Sequence, residues 1–204
     1  MEDNARAVRA ERTRAALIDA AMHVLTEKGY QATTVSSITD QAKVAHGTFY
    51  LYFANKDEVV VGLVAKVWDE LFVEIFAGVP SPPGSYDPRR PRIGVQAAVE
   101  VYVRHGRLWR SLLEGALTSK TVEREWFARR NRVQDELVIR FARAQDAGLM
   151  RPIDPAVCAE GLMAMLEWFA LNRLSFQETA LLTDDRHVVD TLVDLWIHAL
   201  GIEV

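Results

Sequence analysis

The chain has 204 residues, half of them apolar and a quarter charged, as expected for a soluble globular protein of one or two domains with a sizeable core. A net charge of −4 argues against a sequence-blind nucleic-acid binder, which would be basic, but leaves room for a reader that docks one small, locally positive surface. The single cysteine, Cys158, excludes an internal disulfide, argues against a cysteine-based zinc site and fits the reducing cytoplasm.

The opening stretch MEDNARAVRAERTR is polar and does not read as a signal peptide. No apolar run reaches the roughly 18–20 residues of a membrane helix. Arg9 to Lys28 predicts the first helix, with Leu17, Ile18, Ala21, Val24 and Leu25 at helical spacing and Gly29 just past its end. Thr33 or Thr34 caps the second, whose buried stripe is Val35, Ile38 and Ala42. Lys43-Val44-Ala45 is the turn, and His46 to Tyr52 the third helix. Asn55 caps a long fourth helix, Lys56 to Phe76, with Asp57 and Glu58 in the first turn, where the helix dipole favours acids.

A Pro/Gly-rich loop from Gly78 to Pro91 follows and is the expected mobile segment. Beyond it the pattern is helical to the end: Ile93 to His105, Arg107 to about Thr118 after a weak point at Gly106, and Val122 to Ala147 closed by Gly148. Pro155 then opens Ala156 to Leu174, and Asp185 to Leu200 is closed by Gly201. No segment reads as a strand, so the expected fold class is all-α.

Residues 29–58 are the most informative stretch, because two short helices joined by a tight turn make a helix-turn-helix. Phe49 and Phe53, four apart, face inward. Thr48 and Tyr52 share another face. His46, at the helix start, is placed to touch base edges. The hydroxyls of Tyr50, Tyr52 and Thr33 or Thr34, with the Lys56 ammonium, can donate to phosphate. Between Gly29 and Lys56 the sole acid is Asp40, against Lys43, Lys56 and the titratable His46, and Arg6, Arg9, Arg12 and Arg14 lie upstream.

The block Gly29-Tyr30-x-Ala32-Thr33-Thr34-Val35, then Ile38, Ala42 and Val44, then Gly47-Thr48-Phe49-Tyr50-x-Tyr52-Phe53-x-x-Lys56-Asp57-Glu58, resembles the DNA-binding motif of the tetracycline-repressor (TetR) family. The resemblance implies an N-terminal helix-turn-helix domain, residues 1–58, and an all-helical ligand-binding and dimerisation domain, residues 59–204. Lys43, Gly47 and Thr48 complete the candidate DNA-contacting set. Two positions depart from the family pattern. Lys43 stands where Gly is usual, at a cost of roughly 1 kcal/mol if it is left-handed. Ala45 stands where Ser is frequent and offers no side-chain cap. Both predict a reading head held less tightly at its turn.

Ala156 to Leu174 is apolar nearly all round and must be covered on more than one side. The final helix carries Val188, Leu192, Leu195, Trp196 and Ala199 in one stripe. The resemblance implies that these two helices, with Leu162 and Leu166, pair with their copies in a homodimer on a palindromic double-stranded DNA operator. It also implies a pocket for a small-molecule effector. Trp68, Phe72, Trp109, Trp126, Phe127, Trp168 and Phe169 are its candidate lining, with Asn131 and Asn172 as polar groups. Such an effector is mostly hydrophobic.

Arg129-Arg130-x-Arg132 reads as a solvated face paired with Glu123, Glu125 and Glu136. His105, His187 and His198 lack the spacing of a helical metal pair, and no nucleophile motif or phosphate loop is present. Neither an enzyme nor a cofactor is expected. The expected function is a ligand-responsive transcriptional regulator, a repressor. The alternative is a DNA- or partner-binding regulator with no small-molecule switch.

Overall fold

The computed structural model describes residues 2–76, 90–172 and 185–201. The helices are α1 (Glu2–Ala32), α2 (Val35–Ala42), α3 (His46–Phe49), α4 (Lys56–Phe76), α5 (Arg90–Thr118), α6 (Lys120–Asp146), α7 (Pro155–Leu171) and α8 (Asp185–Leu200). No strand occurs among the described residues, so the fold is all-α. No described helix is long and apolar enough to cross a membrane. The expected loop from Gly78 lies outside the described residues up to position 89, as does the predicted end of the α7 segment at Leu174.

Helix ends follow local chemistry. The Thr34 side chain accepts from the Ser37 N–H (3.1 Å) while Ser37 Oγ accepts from the Thr34 N–H (3.0 Å), closing a reciprocal cap on α2. Asn55 Oδ1 accepts from the Glu58 N–H (3.1 Å), and the Glu58 carboxylate reaches back to the Ala54 N–H (2.7 Å), fixing the start of α4. Asp154 caps α7 through the N–H groups of Ala156 and Val157. The backbone at Gly29 (φ 79°) breaks α1 where the sequence ends its first helix, and at Gly106 (φ 34°) it breaks α5 between the two predicted helices. By contrast α1 begins at Glu2 rather than Arg9. Its first turns are exposed and carry no apolar stripe, and alanine and arginine propensity sustains them.

The chain divides into two compact units, Met1–Val67 with Arg107–Ala128, and Trp68–Gly106 with Arg129–Val204. In the first, α2 packs on both α1 and α3. Leu17, Leu25, Ile38, Phe49, Leu63 and Leu112 are fully buried. Gly115 is needed for a close approach, since a Cβ there would lie 3.0 Å from the Tyr30 ring. In the second unit α7 buries Ala159, Met163, Leu166 and Ala170, one stripe at helical spacing. Met150 and Leu200 anchor a satellite cluster with Phe141, Ile153, Cys158 and Ile197. Burial, then the nearby Asp154 charge, raises the Cys158 thiol above its ordinary value, as befits a packed, inert sulfur.

The arginines of the run bind acids on other helices. Arg129 and Arg132 both bind Asp69 on α4 (2.7 and 2.9 Å), and Arg132 lies 4.0 Å over the Phe72 ring. Arg130 Nε donates to both oxygens of Glu167 on α7 (3.0 and 3.1 Å) and its Nη1 to Gln134 (3.1 Å). Burial raises Glu167 above the usual carboxylate range despite the opposing charge of Arg130. Beside this pair the buried Tyr102 hydroxyl is raised by burial and then by the Glu167 charge. Glu70 runs the other way: burial alone would raise it, but His105 and Arg104 outweigh that and lower it.

Candidate nucleic-acid interface

The reading head is built around a short helix with one face buried. Past α3 the helical turn continues: the N–H groups of Tyr52 and Phe53 both donate to the Phe49 carbonyl at 3.0 Å. Phe49 and Phe53 are buried with ring centroids 5.6 Å apart, which seats the turn on the core as predicted. Arg14 on α1 lies 5.3 Å over the Phe53 ring.

The two family departures behave as their chemistry demands. Lys43 takes the left-handed conformation (φ 57°, ψ 41°), and its N–H donates back into α2. It is the one non-glycine residue with positive φ among those described. Ala45 precedes α3 with no side-chain cap.

The outward face exposes His46, Gly47, Tyr50 and Leu51, with Thr48 and Tyr52 half-buried. The His46 and Tyr50 rings stand 5.5 Å apart. Of the two threonines offered as phosphate donors, Thr33 is buried and its hydroxyl donates to the Gly29 carbonyl (2.7 Å). Thr34 is exposed; its oxygen accepts the α2 cap, which leaves its proton to donate outward. Lys56 is half-buried, its Nζ 2.9 Å from the Tyr30 carbonyl and 4.1 Å over the Tyr30 ring. That posture spends one of its three donors.

A Cβ built at Gly47 meets nothing within 4 Å, so packing inside the chain does not require glycine there. Close approach of the backbone to a duplex would. Gly47→Ala is therefore expected to stabilise the fold by a few tenths to about 1 kcal/mol of helix propensity, and so to raise the melting temperature. It should also weaken operator binding by about tenfold, the 1.4 kcal/mol of a displaced backbone contact. Thermal melts and duplex titration of the same preparation check both signs.

Tyr30 ties the head down. Its hydroxyl donates to Asp57 Oδ1 (2.6 Å) and its N–H to the Glu114 carboxylate (3.1 Å). Ser119, the single residue between α5 and α6, donates to the other Asp57 oxygen (2.6 Å). Ser111 donates to the Leu25 carbonyl at 2.8 Å in the buried core. Sequence reading placed Asp57 only as a dipole partner and missed Ser111, Glu114 and Ser119. Their partners are 86, 84 and 62 residues away, and no local pattern encodes that.

Burial, then Asp57, pushes the Tyr30 hydroxyl up to about 12. A phenol raised on folding holds its proton longer in the native state than in the unfolded chain. Below the ordinary value of about 10 both states keep the proton. Above it the unfolded chain ionises first and native stability falls. The stability advantage of the wild type over Tyr30→Phe should be constant below that value and shrink as pH rises toward about 12, read by denaturant melts across the window.

The remaining candidates fall into two groups. Trp109 and Trp126 are buried in the first unit, edge to face at 5.7 Å, and Phe127 beside them is exposed. In the second unit Trp68 is fully buried, Phe72 and Phe169 are half-buried, and Trp168, Asn131 and Asn172 are exposed. Leu166, Leu192 and Trp196 are buried in that unit, Leu162 and Val188 are half-buried, and Leu195 and Ala199 are exposed. No group of three or more His, Cys, Asp or Glu among the described residues is placed to hold a metal ion.

Comparison with known proteins gives this geometry its context. The model for bacterial regulatory proteins of the tetR family matches residues 17–63, and that for the C-terminal domain of AefR-like transcriptional repressors matches residues 95–201. The fatty acid metabolism regulator protein of Bacillus subtilis is 51% identical over 47 residues, 23% of this chain and 24% of its own length. The transcriptional regulator AcuR of Cereibacter sphaeroides is 35% identical over 98 residues, 44% of this chain and 41% of its own. The chain thus aligns with less than half the length of either relative. A tetR-family regulatory protein from Rhodococcus RHA1 shares the fold at a TM-score of 0.77 and 18% identity, covering 94% of this chain and 98% of that one. Salmonella enterica GusR does so at 0.77 and 18%, covering 93% and 96%. Proteins of this family are transcriptional regulators rather than enzymes, and the chain belongs to it: it is a DNA-binding transcriptional regulator of the TetR family.

Proposed function

We propose that the protein is a repressor that binds a palindromic operator as a homodimer in the cytoplasm and is released by a mostly hydrophobic small molecule. The observation that carries the dimer is on α7 and α8, where Val157, Trp168 and Leu195 are each more than half exposed. Large apolar side chains left uncovered on neighbouring stretches of sequence call for a partner surface. A second copy supplies it and doubles the contact of a small reading head. The repressor sign is supported by the C-terminal match to AefR-like repressors.

For the switch, the long α4 begins at the reading head and runs on into the second unit. In one state the two heads stand a helical turn of DNA apart, roughly 34–36 Å. An effector that prefers a differently spaced state would release the operator in proportion to that preference. The relative named for fatty acid metabolism aligns over 47 residues only, so it bears on the reading head and not on the effector. The unswitched alternative is favoured by one observation: Trp68, Trp109 and Trp126 are already buried.

Sedimentation velocity on the wild type and Leu195→Asp, with duplex titration of both, tests the dimer. A wild-type dimer, with a monomeric variant that binds the duplex at least about tenfold more weakly, supports the reading. A wild-type monomer with unimpaired binding contradicts it. Titrating the bound duplex with a panel of alkyl and aryl compounds separates the switch from the alternative.

A further inference from the structure

We propose that Leu51 is a specificity residue of the operator contact, packing against a thymine methyl in the major groove. Three observations lead there. Leu51 is 79% exposed, although its neighbours Phe49 and Phe53 are buried. Its N–H still donates to the Thr48 carbonyl (3.3 Å), so it sits on the helical turn that extends α3. At 3.6 residues per turn it stands opposite the midpoint of Phe49 and Phe53. The face that points away from the core therefore has Leu51 at its centre. Gly47, four residues earlier, lies in the same stripe and adds no side chain to it.

A single exposed leucine elsewhere would need no account. Here it occupies the middle of the surface that a helix-turn-helix inserts into DNA, flanked by the exposed Tyr50. Base edges and phosphates are polar, and leucine can bond to none of them. The major groove offers one apolar group on the bases, the C5-methyl of thymine. Leu51 has the chemistry to recognise that group, and the bare backbone at Gly47 lets the helix come close enough to reach it. Tyr50, Thr48 and His46 around the rim supply the polar contacts.

The inference rests on the operator-binding reading, and its test separates the two. Duplexes are first enriched from a randomised library by the wild-type protein. In the enriched duplex each thymine is then replaced singly by deoxyuridine, which removes only the methyl and keeps the base pair. Wild-type affinity should fall about fourfold at one thymine of each half-site, the worth of one buried methyl. Leu51→Ala should bind the thymine and uracil forms equally. Leu51→Gln, which keeps the length of the side chain but not its apolar end, should lose the same discrimination. Thermal melts of both variants should match the wild type, since the side chain lies outside the core.

A wild-type protein indifferent to uracil at every thymine overturns the assignment. So do folded variants that keep the fourfold discrimination. Failure of the library to enrich any sequence overturns the operator reading itself.

Discussion

Phe49→Ala is expected to unfold the reading head and abolish operator binding. The ring is 0% accessible and packs against both Phe53 and Tyr50, with centroids 5.6 and 5.5 Å away. Truncating a buried phenylalanine costs about 3–5 kcal/mol, part of it transfer and part cavity. α3 spans only four residues and Ala45 gives it no side-chain cap, so little else holds the turn. The loss should appear as a lower denaturant midpoint and as missing duplex binding at temperatures where the wild type is saturated. A folded, binding-competent Phe49→Ala would mean that α3 is not seated by this ring.

The second large effect is expected at Asp57. Its two oxygens take the Tyr30 and Ser119 hydroxyls at 2.6 Å each. Hydrogen bonds to a charged acceptor contribute about 1.5–3 kcal/mol apiece, and Asp57→Ala removes both. A loss of about 3 kcal/mol is expected. Asp57→Asn should recover part of it, because its amide oxygen can still accept one of the two hydroxyls. Ser119→Ala should lose only its own share, and a double-mutant cycle with Tyr30→Phe isolates the shared acceptor. Equal stabilities for Asp57→Ala and the wild type would remove the clasp from the account.

What the sequence made legible was local. Asn55 and Glu58 mark the start of α4, Gly106 marks the break in α5, and the Phe49/Phe53 spacing gives the buried face of the third helix; each needs only neighbours within a turn. The α1 start escaped because its first turns are held by propensity rather than by an apolar stripe. The choice between Thr33 and Thr34 could not be made by pattern, since both can cap. The backbone chose Thr34 and turned the Thr33 hydroxyl inward.

The arginine run shows the limit most plainly. Same-helix acids lay at plausible spacing, yet Arg130 meets Glu167, 37 residues on. Only the fold brings α6 and α7 together there. Leu51 was passed over for a different reason: an apolar residue in an aromatic run reads as core until its exposure is known.

The most direct test of the central claim, sequence-selective DNA binding by the α2–α3 head, is fluorescence anisotropy. The purified protein is titrated against the duplex just upstream of its own gene and against a scrambled duplex, over a range of salt. The account predicts tight binding to the first only, falling by about a thousandfold between about 50 and about 200 mM salt as released counterions oppose it. Equal, weak binding to both duplexes at every salt concentration would contradict it.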